Sequence, residues 1–176
     1  EKLVQITHKY NIPIIYKASY RKENRTRIDS FTGIGDRNGL EILQNIRQYF
    51  GIEITTDVHT PDEALMAAEY DVDIIQIPAF LCRQTSLLKA AAQTGKKVNV
   101  KKGQFLAPEQ MRFVVEKLLQ FGAIREKIML TERGAQFGYT DLIFDVRSIP
   151  KMQKLHVPVI LDVTHSLQKP NQERGI

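Results

Sequence analysis

Residues 52–79, "IEITTDVHTPDEALMAAEYDVDIIQIPA", decide the fold predicted for this chain. Two short β-branched runs, 52–58 and 73–79, flank a helical segment that begins with an N-cap at Thr60 and a first-turn proline at Pro61. Strand, helix and strand in this order form the unit that joins parallel strands. The stretch therefore predicts a parallel β-sheet that is covered by helices.

The same alternation of short apolar runs and helical segments continues along the chain in both directions. Further strands are predicted at 12–18, 96–102, 127–133 and 158–164. Helices are predicted at 1–10, 37–50, 61–70, 85–94, 108–121 and 147–155. Six strands that alternate with helices indicate an α/β protein with a parallel sheet.

Such a sheet can be an open doubly wound sheet or a closed (β/α)₈ barrel. No G-x-G-x-x-G motif follows the first strand, which argues against a dinucleotide-binding domain. Polar or charged residues follow or end all six strands: Lys17 and Ser19, Asp57 and His59, Gln76, Lys101 and Lys102, Glu132 and Arg133, and Asp162 and His165.

The pattern of strand ends favours the barrel. A barrel gathers every strand end at one mouth, whereas an open sheet gathers only those beside its switch point. We therefore predict a (β/α)₈ TIM barrel whose first and last strands are missing from these residues. Residues 1–176 form a single domain in this prediction, and the domain is incomplete at both ends.

Composition narrows the class of protein. The chain has 176 residues, of which 43% are hydrophobic, and this is enough for one core. Its single cysteine excludes an internal disulfide framework and fits a reducing compartment. No apolar run approaches the roughly 18 residues that cross a bilayer, so we expect a cytoplasmic protein without a membrane partner. The net charge of +5 fits an anionic ligand, although a nucleic-acid surface would also raise it.

Three cations, Lys17, Lys101 and Arg133, each lie at the carboxyl end of a separate predicted strand, and Lys22 follows in the first loop. Gathered at one mouth, they would repel one another unless an anion of two or more charges were bound. Arginine offers a planar fork to phosphate or carboxylate, and lysine supplies a movable charge. The pattern indicates a small anionic ligand, with ordinary surface cations as the alternative.

Each of the other residues at or after the strand ends could have either a functional or a structural role. The loop residues 24–26 could hold a second phosphate or form a plain solvated loop. Gln76, inside an apolar run, either bonds to a neighbouring strand or faces the ligand. Asp57 with His59, and Asp162 with His165, place an acid beside an imidazole. His165 is the stronger candidate for a metal ligand or an acid–base group, and a structural role is its alternative.

Six segments resemble the 3-deoxy-D-manno-octulosonate 8-phosphate synthase family. In chain order they are "YKASYRKENR", "TDVH", "QIPAFLCRQT", "VNVKKGQFLAP", "LTERGAQFGY" and "DVTHSLQ". The resemblance implies an aldol-type condensation of phosphoenolpyruvate with D-arabinose 5-phosphate in a (β/α)₈ barrel. The products are 3-deoxy-D-manno-octulosonate 8-phosphate and inorganic phosphate, on the route to the Kdo of lipopolysaccharide. The resemblance also implies a homotetramer.

The resemblance assigns roles to residues of this chain by position. It implies that phosphoenolpyruvate is bound by Lys17, Ser19, Lys22, Gln76, Ala79, Lys101 and Arg133. It implies that arabinose 5-phosphate is bound by Asn24, Arg25, Thr26, Asp57 and His59. The catalytic residues that it implies are Lys17, Lys22, Lys101 and His165. In the family's tetramer, the arginine that matches Arg25 can reach a neighbouring subunit's site.

The family contains metal-dependent and metal-independent members, and His165 matches the metal-ligand histidine. The segments "KKGQFLAP" and "LTERG" resemble the metal-dependent members more closely. We therefore expect one divalent metal ion as a cofactor. Its other protein ligands would lie outside this chain.

Two rival functions remain open at this point. The sister heptulosonate 7-phosphate synthases use erythrose 4-phosphate with the same enol donor, but they typically carry a Lys-Pro-Arg-Thr-Ser motif where this chain has Lys17-Ala18-Ser19. A non-catalytic barrel that binds RNA or another polyanion would place its cations across helix faces and add aromatic stacking platforms. The cations here follow strands instead, so we expect no nucleic-acid partner.

Overall fold

A computed structural model describes residues 1–169. Its strands are β1 (Ile15–Lys17), β2 (Glu53–Asp57), β3 (Ile74–Ile77), β4 (Lys97–Lys101), β5 (Ile128–Glu132), β6 (Ala135–Phe137), β7 (Asp141–Ile143) and β8 (Val159–Leu161). Its α-helices are α1 (Lys2–Lys9), α2 (Asp36–Phe50), α3 (Pro61–Glu69), α4 (Thr85–Gln93), α5 (Met111–Gln120) and α6 (Ser148–Gln153). Short 3₁₀ helices occupy Ala79–Leu81, Pro108–Gln110, Arg125–Lys127 and His165–Leu167.

The main sheet has six parallel strands in the order β1-β2-β3-β4-β5-β8. Each strand pairs with the next strand of the sheet along the chain, so the order never reverses. A doubly wound sheet needs such a reversal at its switch point, and this sheet has none. The curled sheet, with helices α2 to α6 between its strands, is a partial (β/α)₈ barrel, which confirms the predicted fold class.

One face of the sheet packs against the helices and forms the hydrophobic core. Alternate strand residues such as Ile54, Ile75 and Val100 are completely buried there. They belong to one cluster with helix residues that include Leu40 and Leu88. Because side chains alternate across a strand, the residues between them point to the opposite face, here called the inner face.

Strand register brings the polar residues together on the inner face. Asp57 pairs in register with Gln76, and Gln76 pairs with Asn99. Lys101 lies two residues after Asn99 and pairs with Thr131. Paired residues of parallel strands share a face, so these polar side chains all lie on the inner face near its carboxyl edge.

Helix ends follow the signals of the sequence. The Thr60 side chain accepts a hydrogen bond from the backbone N–H of Glu63, as an N-cap should, and Pro61 opens α3. Gly51 ends α2 in the left-handed conformation, with φ of 63°. These local features set the lengths of the helices that return the chain from one strand to the next.

Two local expectations differ from the structure. The antiparallel hairpin β6–β7 was not predicted, because each of its strands has only three residues, too few to show a clear period of two. The helix predicted at 147–155 is shorter in the structure. Helix α6 ends at Gln153, and His156 lies in the following turn with φ of 56°.

No helix among residues 1–169 is long and apolar enough to cross a membrane.

Candidate active site

Three cations meet at the carboxyl edge of the inner face. The ammonium of Lys101 is buried and lies 2.6 Å from Oδ2 of Asp162. Burial lowers the pKa of Lys101, and the charges of Lys17 and Arg133 lower it further against the opposing effect of Asp162. Arg133 is also buried, and desolvation lowers its pKa against the opposing charges of Asp162 and Glu132. The positive charges of Lys17 and Arg133 therefore both act on Lys101, as the strand-end pattern predicted.

A second group lies at the end of β1. The Lys17 ammonium lies 3.5 Å from Oδ1 of Asp57 and 3.5 Å from Oγ of Ser19. Lys22 donates to the same Ser19 hydroxyl at 2.8 Å. Burial lowers the pKa of Lys22, and Lys17 and Arg25 add to this effect while Asp57 opposes it. Ser19 thus holds two ammonium groups beside each other, an arrangement that favours an anion between them.

The charges on this edge do not cancel. The cations are Lys17, Lys22, Lys101 and Arg133, and the carboxylates that face them are Asp57 and Asp162. An excess of positive charge at partly dehydrated groups is unfavourable unless a counter-ion binds. A ligand with two or three negative charges would balance it.

His59 lies between two carboxylates. Its Nδ1 lies 2.9 Å from Oε2 of Glu63, and its Nε2 lies 3.6 Å from Oδ2 of Asp57. Burial lowers the pKa of His59, but the hydrogen bonds and charges of Asp57 and Glu63 outweigh it and raise the pKa to about 9. For Asp57, burial raises the pKa, while His59 and Lys17 hold it below its usual range. His59 is therefore a cation at neutral pH.

Gln76 and Ala79 lie at the end of β3. The Gln76 side chain is buried on the inner face, and its amide makes no hydrogen bond with any residue in the range 1–169. Of the two readings of Gln76, a bond to a neighbouring strand is therefore wrong. Ala79 is buried and opens the 3₁₀ helix directly after the strand. Both residues lie beside the cations, where an amide could orient an anionic ligand.

Asn24, Arg25 and Thr26 are exposed in the loop between β1 and α2. No side-chain hydrogen bond of these three residues connects them to another residue of the described part of the chain. Arg25 is close enough to lower the pKa of Lys22. The structure thus joins this loop to the cation group through Arg25, and leaves its side chains open to solvent.

His165 begins a short 3₁₀ helix after β8 and is oriented by Asp162. Its Nδ1 lies 2.7 Å from Oδ2 of Asp162, and its backbone N–H donates to Oδ1 at 3.0 Å. The side chain is 40% exposed, and Nε2 makes no hydrogen bond within residues 1–169. Many metal-binding histidines are held in this way by a carboxylate, with the other nitrogen available to the ion.

His165 fits the role of one metal ligand, but the structure supplies no complete set. Residues 1–169 contain no group of three or more histidine, cysteine or acidic residues that could hold a metal ion. The expectation that further ligands come from outside this chain stays a prediction. Asp162, which orients His165 and neutralises Lys101, links the proposed metal ligand to the cations.

Lys102 and Glu132 do not lie with the cations, although both were grouped with the strand-end residues. They alternate with Lys101 and Arg133 and point to the helix-covered face, where their side chains lie 3.4 Å apart. One Glu132 oxygen accepts from the backbone N–H groups of Arg133 and Gly134. This pair shapes the turn that carries Arg133. A cavity of about 570 Å³ beside it is lined by none of the predicted catalytic residues.

Three residues near the site were missed by sequence reasoning. Glu63, Tyr20 and Arg21 form a buried network next to His59 and Lys22. One signal could have found Glu63: it lies three residues after Thr60, the spacing of a capping box, which turns its carboxylate back toward the preceding strand end. No local signal places Tyr20 or Arg21 against it.

The chain matches the model of the DAHP synthetase I family over residues 1–175. A 2-dehydro-3-deoxyphosphooctonate aldolase of Rickettsia typhi is 54% identical over 175 residues, which are 99% of this chain and 63% of that protein. The protein of the same name from Rickettsia canadensis is 55% identical over 170 residues, 97% of this chain and 61% of that protein.

This chain thus spans about three fifths of the length of the curated relatives that it matches. The names of these relatives and the family model confirm the family resemblance that the six segments indicated. Because the family model covers nearly the whole chain, this chain belongs to the DAHP synthetase I family.

Proposed function

We propose that the protein condenses phosphoenolpyruvate with D-arabinose 5-phosphate to form 3-deoxy-D-manno-octulosonate 8-phosphate and inorganic phosphate. One observation carries this proposal: Lys17, Lys101 and Arg133 lie at the carboxyl ends of three parallel strands, on the inner face of one sheet. Phosphoenolpyruvate carries a carboxylate and a phosphate on three carbons, so it needs several cations at once. The names of the relatives support the choice of substrates.

The cations divide between the two ends of the enol substrate. Lys101 and Arg133 would bind the phosphate, because they lie on adjacent strands and are the more deeply buried pair. Lys17 and Lys22, held together by Ser19, would bind the carboxylate. Gln76 and the backbone at Ala79 lie between the two groups along the sheet and would fix the orientation of the substrate.

These contacts would support each bond change of the reaction. C3 of the enol forms a bond to the aldehyde carbon of the sugar, whose oxygen takes up a proton. Water adds to C2 and loses one proton, which balances the proton taken up by the aldehyde oxygen. The C2–O bond to phosphate then breaks as the new C2 hydroxyl becomes the ketone, and the hydroxyl proton leaves with the phosphate. Lys17 and Lys22 would hold the carboxylate beside C2, while Lys101 and Arg133 would hold the departing phosphate. Such fixed charges act strongly because the site is already partly dehydrated.

Arabinose 5-phosphate would be bound by Asn24, Arg25 and Thr26, with Asp57 and His59 at the same edge of the sheet. Of the three loop residues, Arg25 is near enough to the cation group to lower the pKa of Lys22. We propose that the protein is a cytoplasmic homotetramer and that Arg25 reaches the site of a neighbouring subunit. An exposed arginine that has no hydrogen bond to any residue of 1–169 suits such a role.

We propose one divalent metal ion as a cofactor, with His165 as one of its ligands. Asp162 supports this role because it fixes the imidazole with Nε2 available. When bound, such an ion would orient the sugar aldehyde or lower the pKa of a water molecule.

The test is release of phosphate from phosphoenolpyruvate by the full-length protein. It is run with arabinose 5-phosphate and with erythrose 4-phosphate, each with and without a chelator. Release only with the five-carbon sugar is expected. Release only with erythrose 4-phosphate would make the protein a heptulosonate 7-phosphate synthase, and release with neither sugar would leave a barrel that only binds anions. Activity that survives chelation would remove the metal from the proposal.

A further inference from the structure

The carboxylate of Glu63 joins two loops that carry site residues. It lies in the first turn of α3 and is 4% exposed. From the β2 end it accepts hydrogen bonds from the backbone N–H of His59 at 2.9 Å, and it contacts Nδ1 of the same residue at 2.9 Å. From the loop after β1, the Tyr20 hydroxyl donates to it at 2.5 Å, and the Arg21 guanidinium forms an ion pair with it.

These contacts reach the proposed substrate site from two sides. Tyr20 and Arg21 directly precede Lys22, so their anchoring fixes the start of the loop that carries this lysine. Arg21 is also held by Asp36 at 3.1 Å. On the other side, the His59 ring is oriented toward Asp57, which contacts Lys17. Glu63 itself touches none of the residues proposed to bind phosphoenolpyruvate.

We propose that Glu63 is a positioning residue that keeps His59 protonated, with Nδ1–H donating to Glu63 and Nε2–H directed at Asp57. In this state His59 is a cation at neutral pH at the edge of the sheet, and Asp57 stays an ionised acceptor between His59 and Lys17. The assignment rests on the proposed function for its effect on turnover, while its effect on His59 does not depend on that function.

The electrostatics of the surrounding elements agree with this assignment. The groups that face His59 are Asp57 from β2 and Glu63 from α3. Behind Glu63 lie Tyr20 and Arg21 from the β1 loop, and Asp36 of α2 faces Arg21. Burial raises the pKa of Glu63, but the hydrogen bonds from His59 and Tyr20 outweigh this and lower it to about 2. Glu63 is therefore ionised throughout the neutral range, and it stabilises the imidazolium.

A solely structural role for Glu63 predicts something different. Glutamine has nearly the same shape and could still accept hydrogen bonds from Tyr20 and the His59 backbone. It would preserve most of the packing but would remove the negative charge. The charge-neutral variant Glu63→Gln therefore distinguishes the two roles. If Glu63 only supports the loops, the variant should leave the pKa of His59 unchanged; if its charge keeps His59 protonated, the variant should lower that pKa.

The experiment is an NMR titration of the His59 ring in the full-length wild-type protein, Glu63→Gln and a control variant, Asp62→Asn. Asp62 is the neighbouring acid in the same helical turn, but it is exposed and makes no ion pair with another of the described residues. We expect His59 to titrate near pH 9 in the wild type and in the control, as its raised pKa requires. In Glu63→Gln the midpoint should fall toward the ordinary value of about 6.5.

The pH profile of kcat/KM gives a second measurement. Because Glu63→Gln would lose the imidazolium at a lower pH than the wild type, its kcat/KM should fall at a lower pH, by roughly tenfold, in keeping with one lost charge contact. Asp62→Asn should follow the wild-type profile.

Two results would overturn the proposal: a wild-type His59 midpoint near the ordinary value, or a midpoint that Glu63→Gln leaves unchanged. The first needs no variant, so it decides even if Glu63→Gln does not fold. Absence of phosphate release with either sugar would refute the proposed function instead, and the titration would still decide the role of Glu63.

Discussion

The Lys101 ammonium lies 2.6 Å from Oδ2 of Asp162, although the two residues are 61 positions apart and β5 separates their strands. The same Asp162 oxygen lies 2.7 Å from Nδ1 of His165. Burial raises the pKa of Asp162, but His165 and Lys101 outweigh it and hold the pKa below its usual range. One carboxylate thus balances a proposed substrate-binding cation and orients the proposed metal ligand.

Lys101→Ala should lower kcat/KM for phosphoenolpyruvate by about 10- to 150-fold. Loss of a charge-assisted contact costs roughly 1.5–3 kcal/mol, and every 1.4 kcal/mol is about tenfold. The matched control is Lys97→Ala, which removes a lysine from the amino end of the same strand, where it pairs with Glu53. Steady-state kinetics with both variants measure the effect. If Lys101→Ala stayed within about threefold of the wild type, the phosphate assignment would be wrong.

Asp162→Asn should weaken metal binding by roughly 10- to 100-fold, because loss of the carboxylate that orients a ligand histidine has this effect in metal sites. The measurement is the metal content of purified protein after dialysis against a graded series of free zinc concentrations. Asp145→Asn serves as the control, since Asp145 lies in the loop after β7 and pairs with Arg147. Equal metal content in both variants would contradict the role given to Asp162.

Asp73→Ala should destabilise the fold by about 1–3 kcal/mol, the cost of leaving a buried donor, the backbone N–H of Ile54, unpaired. The Asp73 carboxylate accepts from Nε of Arg47 at 2.9 and 3.0 Å and from the backbone N–H of Ile54 at 2.9 Å. It therefore ties α2 and β2 to the start of β3. The control is Asp71→Asn, which removes the 3.8 Å ion pair with Lys96 and keeps, at φ of 57°, a residue type that tolerates the left-handed conformation. Urea unfolding compares the two, and equal midpoints would refute the prediction.

The charge of His59 should make the stability of the fold depend on pH in the alkaline range. Its pKa is raised from 6.5 to about 9, so protonation favours the folded state. This contribution is complete below the unfolded pKa of 6.5 and is lost as the pH rises through 9. The urea midpoint of the wild type should fall more steeply between pH 7 and 9.5 than that of His59→Gln. The exposed His8 provides a control in His8→Gln, which should behave like the wild type. Parallel pH curves for the wild type and His59→Gln would show that His59 gains no stabilisation on folding.

Much of the fold could be read from the sequence because local features report it directly. The β-branched runs at 52–58 and 73–79 became β2 and β3, and Thr60 and Pro61 began α3 as expected. The hairpin β6–β7 had no such signal, because a three-residue strand shows no clear period. The pairing of these two strands is visible only in the tertiary structure.

The site was predictable in part for a similar reason. Parallel strands end at one edge, so charged residues after several strands must meet, and Lys17, Lys101 and Arg133 do so. Sequence position could not separate Lys101 from Lys102, which are adjacent and both buried. Strand register decides which of them faces the inner side, and a shift of one residue would exchange them.

The sequence by itself determined the strands and helices of the main sheet, their order, the collection of cations at the strand ends and the family. Each of these depends on residues that are near one another in the chain or on a fixed geometric rule for parallel strands. Only the tertiary structure decided that Lys102 and Glu132 lie on the helix-covered face, that Asp162 serves both Lys101 and His165, and that Glu63 holds His59. These pairings join residues of different elements, and no local pattern encodes the distances between them.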